Sequence, residues 1–229
     1  VLFHCSSLRH YFRQQLKFNI DIQIILVYNN KNVKNLQRWK FMKELILVTS
    51  PPACGKTFIS KEISKALKHV VYLDKDTLIG LSKQIFKVAN QENNRSSDFF
   101  EENIRDYEYQ VIVDLALEAL DYDDTVLINA PFTEEIRNKE YMDGLRQKLA
   151  QKSSSLVVIW VETDKAVCHE RMIKRNSDRD KWKLENWDEY ISGCNFEKPN
   201  DIPELMIFKN SSDEEFKTAL KETVDILSK

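Results

Sequence analysis

Glycine is scarce in this chain of 229 residues, which contains only four, and cysteine is equally rare. The cysteines are scattered along the chain, at Cys5, Cys54, Cys168 and Cys194. Without a Cys-x-x-Cys pair, the sequence predicts neither a zinc site nor a disulfide framework, and a reducing cytoplasm fits it best. Long apolar runs are missing too. The best of them, Ile22–Tyr28, is interrupted by Gln23 and is far too short to span a bilayer.

Neither positive nor negative residues are in large excess, because the formal net charge is only -2. Proteins that bind nucleic acids usually carry a clustered basic surface, so this balance disfavours a polynucleotide partner. The length suits one full core with a small lid, which predicts a single domain. We expect a monomer or a homodimer.

Residues 1–41 differ from the rest of the chain in charge. Seven Lys or Arg residues face one acid, Asp21, which gives +6; with -2 overall, residues 42–229 must carry -8. No small-residue cleavage site follows the apolar run, so a secretory signal is not predicted. We expect the native protein to start at Met42, with residues 1–41 a non-native or poorly ordered extension of a domain spanning 42–229. A genuine basic arm is the alternative.

The stretch 44–60 predicts a buried strand, a tight turn and a helix. Leu45–Val48 is a short apolar run, typical of a strand that is covered on both faces. The turn Ser50–Gly55 holds two prolines, which helix interiors and central strands reject. From Lys56 onward apolar residues recur near one helical stripe, at Phe58, Ile59, Ile63 and Leu67. The start of such a helix presents unpaired N–H groups and a positive dipole end, so we expect an anion over the turn.

Residues 50–57, Ser-Pro-Pro-Ala-Cys-Gly-Lys-Thr, resemble the Walker A phosphate loop, Gly-x-x-x-x-Gly-Lys-Ser/Thr, with Ser50 in place of the first glycine. On this resemblance Gly55 lets the backbone approach the phosphates, Lys56 reaches the terminal phosphates and Thr57 offers its hydroxyl to Mg²⁺. The nucleotide-binding residues that it implies are Ser50, Pro51, Pro52, Ala53, Cys54, Gly55, Lys56, Thr57 and Phe58. An ordinary strand-to-helix turn is the alternative.

A second predicted strand, Val70–Leu73, ends in two carboxylates, Asp74 and Asp76. Parallel sheets of this type place their chemistry at the carboxyl ends of the strands. The pair is therefore a candidate to hold Mg²⁺ through water or to take a proton from a substrate hydroxyl. Because Asp is also a common turn and helix-cap residue, a purely structural role is the alternative.

Residues 77–120 are predicted to be mostly helical, as an excursion between the second and third strands. One amphipathic stretch carries Leu78, Leu81, Ile85 and Val88. A longer helix, Asp98–Leu120, places one set of residues on a common face: Ile104, Tyr107, Val111, Leu115 and Ala119. We interpret the aromatic residues of this region as core packing, namely Phe99, Phe100, Tyr107 and Tyr109. Alternatively, part of the excursion closes over a phosphoryl acceptor with Arg95 and Arg105.

The third predicted strand, Thr125–Asn129, ends in an amide where a P-loop protein usually carries the acidic Walker B residue. This substitution removes a charge, which disfavours a motor-type ATPase and puts metal binding on Thr57 and the Asp74/Asp76 pair. Capping of the helix that follows, predicted over Glu134–Gln151, is the other interpretation of Asn129.

A basic segment follows the fourth predicted strand, Ser155–Val161, and suits a phosphate-clamping lid at about 175–184. Guanidinium groups grip phosphoryl oxygens bidentately and neutralise charge in the transition state. Arg175 and Arg179 are the best lid candidates and Arg171 a weaker one, with a solvated helix end as the alternative. Asn210 follows the fifth predicted strand, Leu205–Phe208, and is a candidate to contact adenine.

The order of these elements resembles the small P-loop kinases over about residues 43–229. This group includes shikimate and gluconate kinases, chloramphenicol phosphotransferase, the kinase domain of polynucleotide kinase, zeta toxins and related AAA family ATPases. The resemblance implies an α/β fold: a P-loop NTPase three-layer sandwich with a five-stranded parallel sheet, a helical substrate excursion and an Arg-rich lid.

The same resemblance implies that the protein binds ATP and Mg²⁺ and moves the γ-phosphoryl group to a hydroxyl of a small molecule. The catalytic residues that it implies are Lys56, Asp74, Asp76, Arg175 and Arg179, with Thr57 and Asp74 on the metal. Asp76 would be the general base. Ile79 stands where polynucleotide kinases carry an arginine, which argues against that substrate.

Other functions fit the same motif. A nucleotide-binding ATPase or regulatory switch would hydrolyse slowly and act through a partner, although the Asn-Lys-x-Asp segment of a GTPase is absent from the sequence. A zeta-toxin-like kinase, a nucleic-acid 5′-hydroxyl kinase and a structural module with a vestigial loop are further alternatives. The position of Cys54 near a helix N-terminus predicts a favoured thiolate whose alkylation Mg-ATP slows, with an inert small residue as the alternative.

Overall fold

A computed structural model of the protein describes residues 43–177 and 180–228. The predicted extension 1–41 and the lid candidate Arg179 lie outside the described residues. The strands are β1 Lys43–Thr49, β2 Val70–Asp74, β3 Thr125–Asn129, β4 Ser154–Glu162 and β5 Leu205–Lys209. The longer helices are α1 Lys56–Ala66, α2 Ile79–Val88, α3 Asp106–Ala119, α4 Lys139–Gln151, α5 Lys165–Arg175, α6 Lys181–Glu185, α7 Trp187–Gly193 and α8 Asp213–Leu227.

The five strands form one parallel sheet in the order β2-β3-β1-β4-β5. The register aligns Val48 with Asn129, and Asn129 with Asp74. Because all the strands run the same way, their carboxyl ends meet at one edge of the sheet. The α/β fold with a five-stranded parallel sheet is therefore confirmed, and the predicted strand ends lie side by side.

Helices cover both faces of the sheet, which makes three layers. Alternate residues of β1 point to opposite faces, as the two-residue period of a strand requires. Leu45 and Leu47 belong to the core under α3 and α4, whereas Ile46 and Val48 belong to the core under α1 and α8. This double burial explains why the strand is apolar at every one of these positions.

The buried face of α3 was predicted wrongly: it lies one residue later in the sequence than the predicted apolar face. Tyr107, Val111 and Leu115 are exposed by 64%, 42% and 44%. The buried positions lie one residue later, at Glu108, Ile112, Ala116 and Leu120. The physical cause is a π-helical segment, Glu101–Arg105, that follows a single α-helical turn and precedes α3. A π-helical turn takes in one extra residue, so the faces of the helix beyond it are shifted by one position.

A similar correction applies to α2 and to the helix predicted over Glu134–Gln151. In α2 the buried residues are Ser82 and Phe86, while Leu81 and Val88 are exposed. Phe86 packs against Phe99 and Phe100, with ring centroids 5.6 and 6.3 Å apart. The later helix is broken into a 3-10 turn and α4, whose start is capped by the side chain of Asn138.

None of the helices within residues 43–177 and 180–228 combines the length and apolar character that crossing a membrane requires.

Candidate functional site

The turn between β1 and α1 depends on one glycine. Gly55 precedes α1 with φ at 91°, in the left-handed region that L residues avoid. A Cβ atom at this position would also lie 2.6 Å from Nδ2 of Asn210. Gly55 offers no side chain to cap the helix, so the first N–H groups of α1 remain available to an anion. The structure therefore places Gly55 where both its backbone and its missing side chain are needed.

One carbonyl of the turn accepts hydrogen bonds from three side chains, which come from the segment after β4, from α5 and from the segment after β5. The oxygen of Cys54 accepts hydrogen bonds from Asn210 Nδ2 at 2.7 Å, Thr163 Oγ1 at 3.1 Å and Arg171 Nη1 at 3.4 Å. Arg171 also donates through Nη2 to the carbonyl of Asn210 at 2.8 Å. Two candidates from the sequence therefore hold the turn in place by hydrogen bonds. They are Asn210, proposed to contact adenine, and Arg171, the weaker lid candidate. Thr163 was missed by sequence reasoning, because its only visible feature is its place just before the start of α5.

Lys56 and Asp76 present free charged groups at the same edge. Within the described residues, neither the Lys56 ammonium nor the Asp76 carboxylate has a hydrogen-bond or ion-pair partner. Burial lowers the pKa of Lys56, and the nearby carboxylates of Asp76 and Asp74 oppose that shift. Asp76 is exposed, whereas Asp74 is half-buried. The structure therefore brings together a lysine and a carboxylate that nothing else in the described chain engages.

Asn129 connects the turn to the end of β2. Its Nδ2 lies 3.2 Å from Thr57 Oγ1 and 3.3 Å from the Tyr72 hydroxyl, which donates to Asp74 Oδ2 at 2.9 Å. The interpretation of Asn129 as a helix cap is wrong, because its side chain faces these partners. Its Oδ1 is buried, and no described residue pairs with it. Burial, followed by the hydrogen bond to Asp74, raises the pKa of Tyr72, so the phenol stays protonated and remains a donor.

A buried ionic cluster lies beside this network and was missed by sequence reasoning. Glu108 accepts two hydrogen bonds of 2.7 Å from Arg95 and one of 2.8 Å from Lys75, and a further one from Ser82. Lys75 and Glu108 are each only 4% exposed. Burial alone would raise the pKa of Glu108, but its bonds to Arg95, Lys75 and Ser82 lower it to about 2. Because Lys75 separates Asp74 from Asp76, the cluster anchors the segment that carries both carboxylates.

Three further candidate residues each contact another side chain of the described chain. Arg105 pairs with Glu135 at 2.7 Å, and its guanidinium lies over the Tyr109 ring. Arg175 ends α5 and pairs with the fully buried Asp180 at 2.6 Å. Phe58 is 56% exposed, with its ring against Phe216.

The other turn residues divide by burial. Ser50 and Pro51 are buried, and the Ser50 hydroxyl donates to the Pro51 carbonyl at 2.8 Å. Pro52 is exposed, and Ala53 has φ at 63°. Because alanine is unfavourable in this left-handed conformation, Ala53 carries backbone strain that a glycine at the same position would relieve.

The predicted thiolate of Cys54 is wrong. Its thiol is 1% exposed and lies 3.6 Å from the sulfur of Cys168. The hydrogen bond to Cys168, followed by burial, raises the pKa of Cys54. The dipole of α1 is therefore outweighed, and the thiol stays neutral at physiological pH.

Comparisons with known proteins bear on the fold. A family model described as "AAA domain" matches residues 45–196, while a search of curated proteins gave no match. A putative kinase from Chloroflexus aurantiacus is 16% identical, with a TM-score of 0.56 over 82% of this chain and 97% of that one. The two chains therefore share a fold.

Two further solved structures are similar at a lower level. A gluconokinase from Sinorhizobium meliloti is 14% identical, with a TM-score of 0.49 over 82% of this chain and 96% of that one. The APS kinase of Mycobacterium tuberculosis, solved in complex with AMPPNP and APS, is 15% identical, with a TM-score of 0.48 over 82% and 98%.

Proposed function

The chain belongs to the AAA domain family, and from that premise we propose that it is an ATP-binding phosphotransferase that moves the γ-phosphoryl group of Mg-ATP to a hydroxyl of a small molecule. One observation carries the proposal. The ammonium of Lys56 and the carboxylate of Asp76 lie near each other, beside the open start of α1, and neither has a partner among the described residues. Burying an ammonium group without a partner costs free energy, so Lys56 at this edge of the sheet is expected to bind an anion.

The phosphates would bind to the turn Ser50–Gly55 and to the first N–H groups of α1. Gly55 admits their close approach, and Lys56 reaches the terminal phosphates. The bonds to the Cys54 carbonyl support this role, because they hold the turn in shape before any ligand arrives. Preorganised donors lose little free energy to rearrangement when charge develops in the transition state.

Residues at the start of α1 and at the ends of β2 and β3 fit a magnesium ion. They offer a hydroxyl on Thr57, a carboxylate on Asp74 and the unpaired buried oxygen Oδ1 of Asn129, all hard oxygen donors. Thr57 and Asp74 would hold the ion, directly or through water. When bound, magnesium would neutralise charge on the phosphate oxygens.

Asp76 would act as the general base. As the acceptor oxygen attacks the γ-phosphorus, its proton passes to the Asp76 carboxylate, the bond from phosphorus to the β–γ bridging oxygen breaks, and ADP leaves. The exposure of Asp76 supports this role, since an acceptor must reach it. Arg175 and Arg179 remain our lid candidates; Arg175 would first have to leave Asp180, or else serve to position the segment.

We also propose a cytoplasmic setting, with residues 1–41 as an extension of the domain. The thiols of Cys54, Cys168 and Cys194 are free, which fits a reducing compartment. Whether 1–41 belongs to the native protein is testable by mass spectrometry of protein purified from its native cell, where a peptide mapping before Met42 would contradict our expectation.

The test of the function is Lys56→Ala. Removing the ammonium should abolish phosphotransfer, on the order of 10³-fold or more, because it removes charge stabilisation from the transition state. Wild-type protein with Mg-ATP at about 100 times its Kd should melt about 5–10 °C higher, corresponding to roughly 2.7 kcal/mol of linkage. Labelled ATP with a panel of sugars, hydroxy acids and antibiotics gives the transfer rate.

The matched control is Lys61→Ala, which removes an exposed lysine from the same helix. This variant should keep both the thermal shift and the transfer. Full turnover by Lys56→Ala would defeat the assignment, and so would a thermal shift equal to that of the wild type.

A further inference from the structure

Two cysteines far apart in the sequence meet at the phosphate turn. Cys54 lies in the turn itself, and Cys168 lies on α5. Their sulfur atoms are 3.6 Å apart, and the residues are 1% and 0% exposed. The sequence, read residue by residue, contained no paired spacing that would have shown this contact.

The two sulfur atoms are already in van der Waals contact. A disulfide requires sulfurs about 2.05 Å apart, so the two must approach by about 1.6 Å through rotation of the side chains. The backbone of Cys54 is held at its carbonyl by Asn210 and Thr163, and its side chain faces α5. The Cys54 sulfur therefore already points toward Cys168.

The two thiols share one environment. Their sulfur atoms share a hydrogen bond, and the Arg171 guanidinium favours the ionised form of both. Whichever sulfur is oxidised first therefore has the other 3.6 Å away, in a position to resolve the product.

We propose that Cys54 and Cys168 form a reversible modification site that a peroxide oxidises to a disulfide. One of the two sulfurs attacks a peroxide oxygen, the O–O bond breaks, and a sulfenic acid and water form. The other sulfur then attacks the sulfenic sulfur and displaces a second water. In sum, two thiols lose two electrons and two protons, and hydrogen peroxide becomes two molecules of water.

The disulfide would act on the phosphate site through the turn. It covalently ties the turn, which Asn210 and Thr163 already hold at the Cys54 carbonyl, to α5, so the turn can no longer move apart from that helix when phosphates enter. This consequence rests on the proposed function. We expect weaker nucleotide binding after oxidation, and slower oxidation when nucleotide fills the site, because the buried sulfurs are reached only when the turn opens.

The chemical test uses a Cys5→Ser, Cys194→Ser background, so that only the proposed pair can react. After treatment with hydrogen peroxide, the intact mass should fall by two hydrogen atoms, a peptide map should link Cys54 to Cys168, and dithiothreitol should restore the thiols. Adding Cys168→Ala should remove the link. Persistent free thiols, or oxidation only to sulfinic and sulfonic acids, would overturn the proposal.

The functional test measures the affinity for a fluorescent ATP analogue with Mg²⁺ before and after oxidation. We expect at least a tenfold loss that dithiothreitol reverses, and no loss in the Cys168→Ala protein. Unchanged affinity despite a complete disulfide would overturn the regulatory consequence. The two ideas fail separately. If the protein with Lys56 intact binds no nucleotide in either redox state while the disulfide still forms, the proposed function is refuted and the modification site stands.

Discussion

The ends of β1 and β2 carry the two halves of the site, and they are supported by opposite chemistry. The turn after β1 is held largely by neutral donors, Asn210 and Thr163, on one carbonyl. The turn after β2 is held by buried charges, with Glu108 between Lys75 and Arg95. Neutral support leaves the positive end of α1 and Lys56 available for an anion. Ionic support anchors the segment 74–76 through Lys75, and so keeps in place the carboxylate of Asp76, which has no partner among the described residues.

The largest effect that this comparison predicts is the loss of Glu108. In Glu108→Ala, the buried Lys75 and the partly exposed Arg95 lose their partner, which should destabilise the protein by about 3–5 kcal/mol. Urea unfolding followed by circular dichroism measures the change. Glu102→Ala removes an exposed glutamate from the preceding π-helical segment and should change stability by less than about 0.5 kcal/mol. Equal stability of the two variants would show that the ionic cluster is not a support.

Acid should break the same half of the site first. The folded pKa of Glu108 is about 2, below its ordinary value of 4.5, so its contribution is fully present above pH 4.5. It is lost as pH falls from about 4.5 toward 2, and amounts to roughly 3 kcal/mol when complete. Glu108→Gln cannot titrate, so its stability curve should be flatter over that range. Parallel curves for wild type and Glu108→Gln would argue against this assignment.

The neutral half is tested by Gly55→Ala. The added Cβ meets Asn210 Nδ2 at 2.6 Å, and φ of 91° costs an L residue about 1–2 kcal/mol. We expect affinity for Mg-ATP to fall at least tenfold by isothermal titration calorimetry. Gly80→Ala is the matched control, because a Cβ there meets nothing within 4 Å and Ala favours a helix by about 1 kcal/mol. An equally low nucleotide affinity in Gly80→Ala would show that the loss in Gly55→Ala is not specific to the turn.

The two halves also differ in how far sequence could predict them. The turn after β1 is local: an apolar strand, two prolines, Gly55 and Lys56 follow one another, so their pattern predicted the turn between β1 and α1. The ionic cluster joins residues 13 to 33 positions apart along the chain. It depends on the π-helical segment Glu101–Arg105, which turned Glu108 inward and Tyr107 outward. Apolar periodicity carries no sign of a one-residue shift, so the buried face was predicted one position too early.

The contacts made by Cys54 show a second limit of sequence reasoning. Helix position alone predicted a thiolate, because a helix dipole is a local property. Burial and the sulfur of Cys168, which is 114 residues away, reverse that prediction. Long-range packing decided the protonation state, as it decided which side of α3 is buried.

The smallest effect concerns a single neutral hydrogen bond. Thr163→Val keeps the shape of the side chain and removes the hydroxyl that donates to the Cys54 carbonyl at 3.1 Å. Because Asn210 and Arg171 still donate to that oxygen, we expect a loss of only about 0.5–1.5 kcal/mol, seen as a twofold to tenfold weaker affinity for Mg-ATP. Thr163→Ser keeps the donor and should recover the affinity. If the valine and serine variants bind equally well, Asn210 and Arg171 suffice to hold the Cys54 carbonyl, and Asn210 is the one neutral donor on which the turn depends.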